Sequence, residues 1–78
     1  MSNRRPNRWG VIGLGVGNQH ALTLLRDPNA NLVAVCDKDV GTLHHVSQAY
    51  GDVALYSSVE EMISSEDLDA IVVASYDW

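Results

Sequence analysis

The sequence predicts an α/β protein built on a doubly wound parallel sheet, with four strands and their intervening helices in this chain. Two observations support this fold class. Apolar runs of strand length alternate with segments of helical periodicity, and only a few residues connect them. The apolar runs also lack a polar face, as expected for parallel strands that helices cover on both sides. Right-handed crossovers between such strands give the double winding.

The first predicted strand and helix lie on either side of a group of glycines. WGVIGL, which starts at Trp9, is apolar and partly β-branched, so it suits a buried strand. In NQHALTLLRD the period changes to that of a helix, because Ala21, Leu24 and Leu25 recur at helical spacing. Pro28 closes this helix, since proline cannot continue it.

The second strand and the second helix follow directly. NLVAVCD is a continuous apolar run of strand length. DVGTLHHVSQAYG predicts a helix in which Asp39 caps the amino end and Leu43, Val46 and Tyr50 form the inner stripe. Gly51 is expected to stop this helix.

The last third of the chain predicts strand, helix and strand. DVALYS is a short third strand, and LDAIVVAS is a fourth strand that is apolar on both faces. Between them, SVEEMISSED predicts a short helix for which Ser57 or Ser58 supplies the cap oxygen. Glu60 and Glu61 then lie in the first turn, where the helix dipole favours negative charge.

Composition and charge exclude several classes of function. The chain has 78 residues, with ten acidic against five basic side chains, and three of the basic residues lie in the opening MSNRRPNR. We expect residues 1–8 to be a flexible basic tail. The acidic body argues against a nucleic-acid partner, and no run approaches the roughly 20 apolar residues of a membrane span. A single cysteine fits a reducing compartment, so we expect a cytoplasmic protein.

The glycines of GLGVG predict a phosphate-binding turn. Strand, glycine turn, helix and then an acid after the next strand is the dinucleotide-binding arrangement of Rossmann-like folds. Gly13 permits the tight turn, and Gly15 removes the side chain that would block the phosphates. The free N–H groups and the dipole of the helix N-terminus can then hold a pyrophosphate, whatever the net charge of the protein.

Asp37 is the predicted ribose ligand. It lies 24 positions after Gly13, close to the interval of roughly 20 residues expected for the ribose carboxylate. Its oxygens would accept hydrogen bonds from the adenosine ribose hydroxyls and repel a 2′-phosphate. This favours NAD over NADP, although Lys38 beside it could soften the preference.

One detail departs from the usual G-x-G-x-x-G pattern. The sixth position is Asn18, and the third glycine, Gly17, comes one place early. G-x-G-x-G is also used by many methyltransferases that bind S-adenosylmethionine, but those usually carry an acid two places before the first glycine, where this chain has Val11. A methyltransferase fragment therefore stays open as a minority alternative.

The chain after its basic opening resembles the N-terminal domain of the Gfo/Idh/MocA oxidoreductases. The resemblance is carried in order by WGVIGLGVGNQHALTLL, NLVAVCDKD and YGDVALYSSVEEMISSEDLDAIVVAS. It implies a Rossmann fold over residues 9–78 and an NAD(P)-dependent enzyme that acts on a sugar, a cyclitol or a similar polyol. NAD is the expected cofactor, with NADP as an alternative.

The resemblance also assigns cofactor-binding positions. Residues Gly13 to Asn18 match the pyrophosphate loop of the family, although the loop is one residue shorter than usual. Ser75 stands where the family has threonine, so the hydroxyl is kept. Tyr76 and Asp77 replace the proline and asparagine that usually follow. The implied cofactor-binding residues are Gly13, Leu14, Gly15, Val16, Gly17, Asn18, Asp37, Lys38, Ala74 and Ser75.

The regions that carry catalysis in this family would follow Trp78. They are a Glu-Lys-Pro motif, whose lysine assists proton transfer, and a substrate-binding domain through which a homo-oligomer could form. We therefore assign no catalytic residue and expect an incomplete domain, a fragment of a longer oxidoreductase. A non-catalytic NAD-binding or regulatory module is the alternative.

The histidines and the cysteine predict no metal site. His44 and His45 are adjacent, so on a helix they point about 100° apart and cannot easily bind one ion together. His20 is expected to pack or cap locally, and Cys36 to be a buried, inert thiol.

Overall fold

The computed structural model describes residues 6–74, which form one four-stranded sheet with three helices. The sheet order is β3-β2-β1-β4, and every pair of neighbouring strands is parallel. This confirms the predicted α/β class. In chain order the elements are β1 (Asn7–Ile12), α1 (Leu14–Arg26), β2 (Ala30–Cys36), α2 (Val40–Ser47), β3 (Ala54–Tyr56), α3 (Val59–Ser65) and β4 (Ala70–Val73).

Two apolar clusters hold the helices on opposite faces of the sheet. On one face, α1 and α2 pack through a cluster that includes Leu14, Ala21, Leu43 and Tyr50. On the other face, Met62 of α3 packs against alternate side chains of β1 and β2. Successive side chains of a strand point to opposite faces, so each central strand contributes to both clusters. This arrangement is the double winding that the sequence predicted.

The first strand begins inside the segment that was expected to be a tail. Asn7 and Arg8 pair with β2, and the Arg8 backbone exchanges hydrogen bonds with Asp69: Arg8 N donates to Asp69 Oδ2 and Asp69 N donates to Arg8 O, both at 2.7 Å. The Arg8 guanidinium donates to the Asp67 carbonyl and lies 3.8 Å from a carboxylate oxygen of Glu66. Strand pairing thus extends the ordered fold to these two residues.

The first helix begins earlier than predicted. It starts at Leu14, immediately after Gly13, so Gly15 and Gly17 are helical residues. Ala21 is fully buried and Leu24 packs against the core, as predicted, whereas Leu25 is 39% exposed. Leu25 lies in the last turn of α1, where it borders an open groove at the amino edge of the sheet, so fewer neighbours cover it.

The second helix keeps its predicted cap but ends sooner. The Asp39 carboxylate accepts hydrogen bonds from Gly41 N at 2.9 Å and Thr42 N at 3.3 Å. The helix stops at Ser47, and Tyr50 follows in a tight turn in which Tyr50 N donates to Ser47 O. Gly51, with φ 72°, then takes a left-handed conformation that favours glycine. Tyr50 nevertheless packs in the predicted inner stripe.

The third helix has one of its two predicted caps, and the last strand lies at an edge of the sheet. Ser58, rather than Ser57, caps α3 and accepts a hydrogen bond from Glu61 N. In β4, Ile71 and Val73 are 37% and 63% exposed, so no helix within residues 6–74 covers this face of the strand, as expected for the last strand of an incomplete domain. The helix α3 lies over β2 and β3, and β4 is an edge strand.

No helix between residues 6 and 74 combines the length and the apolar character required to cross a bilayer. Each helix instead has a face that packs on the sheet or on a neighbouring helix.

The Cys36 thiol provides a test of this core. Cys36 is fully buried, and burial followed by the nearby charge of Asp37 raises the pKa of the thiol. Because the thiolate is the reactive form, we expect negligible alkylation by iodoacetamide at pH 8 in the folded chain. In urea the same thiol should react at the rate of a free cysteine. Rapid labelling without denaturant would show that β2 is not buried as described.

Candidate functional site

The candidate site lies at the carboxyl edge of the sheet, where β1 ends and α1 begins. Gly13 alone makes this connection, with φ 87° and ψ 99°, a conformation that L side chains rarely adopt. Gly13 N donates to Cys36 O at 2.9 Å, which fixes the turn to the end of β2. β1 has β2 on one side and β4 on the other, so the chain crosses to opposite sides of β1 as it builds the sheet. Open α/β sheets bind ligands at such a switch point.

The first turn of α1 presents open backbone at this edge. A Cβ atom built on Gly15 would have no heavy atom within 4 Å. The cap position, Gly13, supplies no side-chain acceptor, and the first turn contains no acidic residue. The N–H groups of a helix N-terminus carry a partial positive charge. An anion can therefore approach this turn without displacing a side chain of α1.

The third glycine has a packing role. A Cβ atom on Gly17 would lie 3.0 Å from Val11 Cγ1 and 3.2 Å from Ala74 Cβ, both tighter than ordinary contacts. Gly17 therefore lets α1 approach β1 and the end of β4. Ala74 is held there because its N–H donates to Ile12 O at 2.8 Å. In this shortened loop, Gly17 does what the third glycine of the usual pattern does.

Asp37 connects the end of β2 to the start of α1. Its Oδ2 accepts a hydrogen bond from Leu14 N at 2.7 Å, and its Oδ1 accepts one from Asp39 N at 2.8 Å. A carboxylate has about four lone-pair sites. Each oxygen of Asp37 therefore keeps acceptor capacity for a ligand hydroxyl. The sequence identified the carboxylate but not these two backbone bonds.

The remaining predicted site residues differ in their surroundings. Asn18 is half-buried, and its Oδ1 accepts a hydrogen bond from the buried hydroxyl of Tyr50. Val16 and Lys38 are exposed at the same edge of the sheet, and Ser75 lies outside the described residues. Burial raises the pKa of the Tyr50 phenol, so it remains a donor. The sequence placed Tyr50 in the inner stripe of α2 but did not place it beside the glycine loop.

Within residues 6–74, the acidic, histidine and cysteine side chains form no group of three that could hold a metal ion. The adjacent pair His44 and His45 is exposed on α2, and His20 is exposed on α1. Among the predicted site residues that the structure describes, the polar groups at this edge are backbone N–H donors, the Asp37 carboxylate, the Lys38 ammonium and the Asn18 amide.

Sequence comparison identifies the family. Residues 7–77 match the family model of the Gfo/Idh/MocA proteins, described as an oxidoreductase family with an NAD-binding Rossmann fold. The chain is 36% identical over 69 residues to D-apiose dehydrogenase of Paraburkholderia graminis, covering 87% of this chain and 18% of that protein. It is 35% identical over 79 aligned residues to inositol 2-dehydrogenase of Acidothermus cellulolyticus, covering 96% of this chain and 23% of the other.

Solved structures show the same fold. The myo-inositol 2-dehydrogenase of Lactobacillus plantarum superposes with a TM-score of 0.81 at 33% identity, over 91% of this chain and 22% of that one. The WlbA dehydrogenase of Bordetella pertussis, solved in complex with NADH and UDP-GlcNAcA, gives a TM-score of 0.81 at 29% identity, over the same shares of the two chains.

The chain spans about a fifth of the length of the curated relatives it matches. The family model, in contrast, covers nearly all of it. The glycine turn, the carboxylate that follows β2 and the family match agree, so this chain belongs to the Gfo/Idh/MocA oxidoreductase family and is an NAD-binding Rossmann part of it.

Proposed function

We propose that this chain binds NAD at the carboxyl edge of its sheet, as the dinucleotide-binding part of an oxidoreductase that acts on a sugar, a cyclitol or a similar polyol. The observation that carries the proposal is the 2.7 Å hydrogen bond between Leu14 N and Asp37 Oδ2. This bond joins Asp37 to the open first turn of α1, which supports a role for its carboxylate in binding the ribose. The relatives named for D-apiose and inositol support the substrate class.

Different residues of the chain would bind different parts of the dinucleotide. The backbone N–H groups of Gly15 and Val16 would hold the pyrophosphate at the helix N-terminus, next to Leu14, whose own N–H is bonded to Asp37. Asp37 would accept hydrogen bonds from the adenosine ribose, and Lys38 beside it leaves NADP as an alternative cofactor. Ala74 and Ser75 would line the cofactor after β4. We propose no metal at this site and no catalytic residue between residues 6 and 74.

The bound nicotinamide would supply the hydride acceptor or donor, while the residues of this chain bind and orient the dinucleotide. Proton transfer to or from the substrate hydroxyl, the substrate-binding domain and any homo-oligomer contact are proposed for parts of the protein outside this sequence. Cytoplasmic location is part of the proposal, and it is supported by the single cysteine, which cannot form a disulfide within this chain and fits a reducing compartment.

A non-catalytic NAD-binding module would bind NAD at the same site but would not oxidise a substrate. The two are separated by assaying the full-length protein for NAD reduction with inositol and aldose substrates. The methyltransferase alternative loses its support, because the family matched over residues 7–77 is an NAD-binding one. Competition between NADH and S-adenosylmethionine for one site would revive it.

The Gly15→Val substitution tests the binding site, because it should weaken cofactor binding without lowering the stability of the fold. The valine side chain would enter open space, and valine is a better helix former than glycine, so we expect no loss of stability. Its methyl groups would occupy the space through which the pyrophosphate approaches. We expect the Kd for NADH, measured by calorimetry, to rise at least about tenfold, or about 1.4 kcal/mol.

Thr23→Val is the matched control for this experiment. It introduces the same side chain at an exposed position of the same helix, away from the first turn. NADH affinity should equal that of the unmodified chain. If Gly15→Val binds NADH as tightly as this control, the pyrophosphate does not approach the first turn of α1, and the proposed site is wrong.

A further inference from the structure

A buried tyrosine reaches the helix of the glycine loop from a distant part of the chain. Tyr50 is 3% exposed and lies in the turn between α2 and β3. Its hydroxyl donates a hydrogen bond to Asn18 Oδ1 on α1, across 32 positions of sequence. The ring packs in the same apolar cluster as Leu14 and Leu43. The phenol is therefore fixed at both ends, by packing and by this bond.

The start of α1 has few side chains of its own to hold it. Gly15 and Gly17 provide none, and glycine is less favourable than alanine in a helix. Helical side chains lean toward the N-terminus, so the Asn18 amide lies over the first turn. Leu14 N is tied to Asp37, and Gly17 rests on β1 and Ala74. The hydrogen bond of the Asn18 amide to Tyr50 adds a link to the turn that follows α2.

The bond also fixes which way the amide faces. A phenol that donates to Oδ1 leaves Nδ2, with its two donors, pointing away from Tyr50. Burial raises the pKa of the phenol, so the donor persists in mildly alkaline solution. The pair therefore holds one orientation of Asn18, and with it one placement of the first two turns of α1.

We propose that Tyr50 is a positioning residue for dinucleotide binding: its hydrogen bond to Asn18 holds the start of α1 in the orientation that presents its N–H groups to the pyrophosphate. Tyr50 acts through Asn18 and does not touch the cofactor. This inference rests on the proposed function.

The test is a double-mutant cycle on the full-length protein, with NADH as the ligand. Tyr50→Phe keeps the ring and removes the hydroxyl, and Asn18→Ala removes the acceptor. Loss of one hydrogen bond predicts a rise in Kd of about threefold to tenfold for each single variant. The double variant should bind no more weakly than the weaker single variant, because both changes break the same bond.

Tyr56→Phe is the matched control. It also removes a phenol hydroxyl that donates a hydrogen bond, in this case to Glu66 Oε2. It should leave the Kd for NADH unchanged. Equal weakening by Tyr56→Phe and Tyr50→Phe would show a general loss of stability and would overturn the positioning role.

Hydrogen exchange without cofactor provides a second readout. The amides of Asn18 to Ala21 bond to carbonyls of the first turn of α1. In Tyr50→Phe we expect faster exchange at these amides and no change at Val11 and Val35 in the central strands. Uniformly faster exchange would contradict the inference.

The affinities separate the two proposals. If the unmodified protein binds NADH and Tyr50→Phe binds it with the same Kd, only the positioning role is overturned. Failure of the unmodified chain to bind NADH refutes the proposed function, and the positioning role with it.

Discussion

Replacing Gly17 by alanine is expected to destabilise the chain, whereas the same change at Gly15 should stabilise it. A Cβ atom at Gly17 would lie 3.0 Å from Val11 Cγ1 and 3.2 Å from Ala74 Cβ. Overpacking of this kind costs about 1–3 kcal/mol. At Gly15 the Cβ atom meets nothing within 4 Å, so alanine should add about 0.5 kcal/mol through its helix preference. Urea denaturation followed by circular dichroism measures both changes.

The size of the Gly17 effect depends on whether its neighbours can move. Val11 is fully buried in the centre of the sheet, and Ala74 is tied to Ile12 O by a 2.8 Å hydrogen bond. A chain of 78 residues has a free energy of unfolding of about 4–12 kcal/mol at typical values per residue. The loss is thus a substantial share of the total. If Gly17→Ala is as stable as the unmodified chain or more stable, the close approach of α1 to the sheet is not present in solution.

The element order could be predicted from the sequence because local pattern carries it. Alternating apolar runs and helical periods identified the seven elements, and Asp39 identified the start of α2. The start of β1 could not be found in this way. Arg8 follows two other arginines in a polar segment, and its place in the sheet depends on Asp69, which is 61 positions away.

The candidate site was predictable to a similar extent. Glycine spacing located the turn, and the end of the second apolar run located Asp37. The displaced third glycine could not be interpreted from spacing alone, because the role of Gly17 depends on contacts with β1 and Ala74. The bond from Tyr50 to Asn18 is equally non-local. Residue type gives the chemistry of a position, whereas tertiary contacts decide which residues share it.

Asp37→Ala is expected to have the largest effect on cofactor binding. A hydrogen bond to a charged group contributes about 1.5–3 kcal/mol, so loss of the ribose ligand should raise the Kd for NADH by about tenfold to hundredfold. The Kd for NADPH should rise less, because the variant no longer repels a 2′-phosphate. Calorimetric titration with both cofactors gives the two constants. Asp27→Ala is the matched control, since it removes a carboxylate that accepts one backbone N–H at the other end of α1.

Asp37 also has a structural role, and Asp37→Asn separates it from ribose binding. The Asp37 carboxylate joins Leu14 N at the start of α1 to Asp39 N at the start of α2. An amide keeps one of its two acceptor atoms and loses the charge. We therefore expect Asp37→Asn to unfold closer to the unmodified chain than Asp37→Ala does, while its preference for NADH over NADPH falls as far as in the alanine variant. If the asparagine variant keeps the full preference, the charge of Asp37 does not select the cofactor, and its role is to join the two helices.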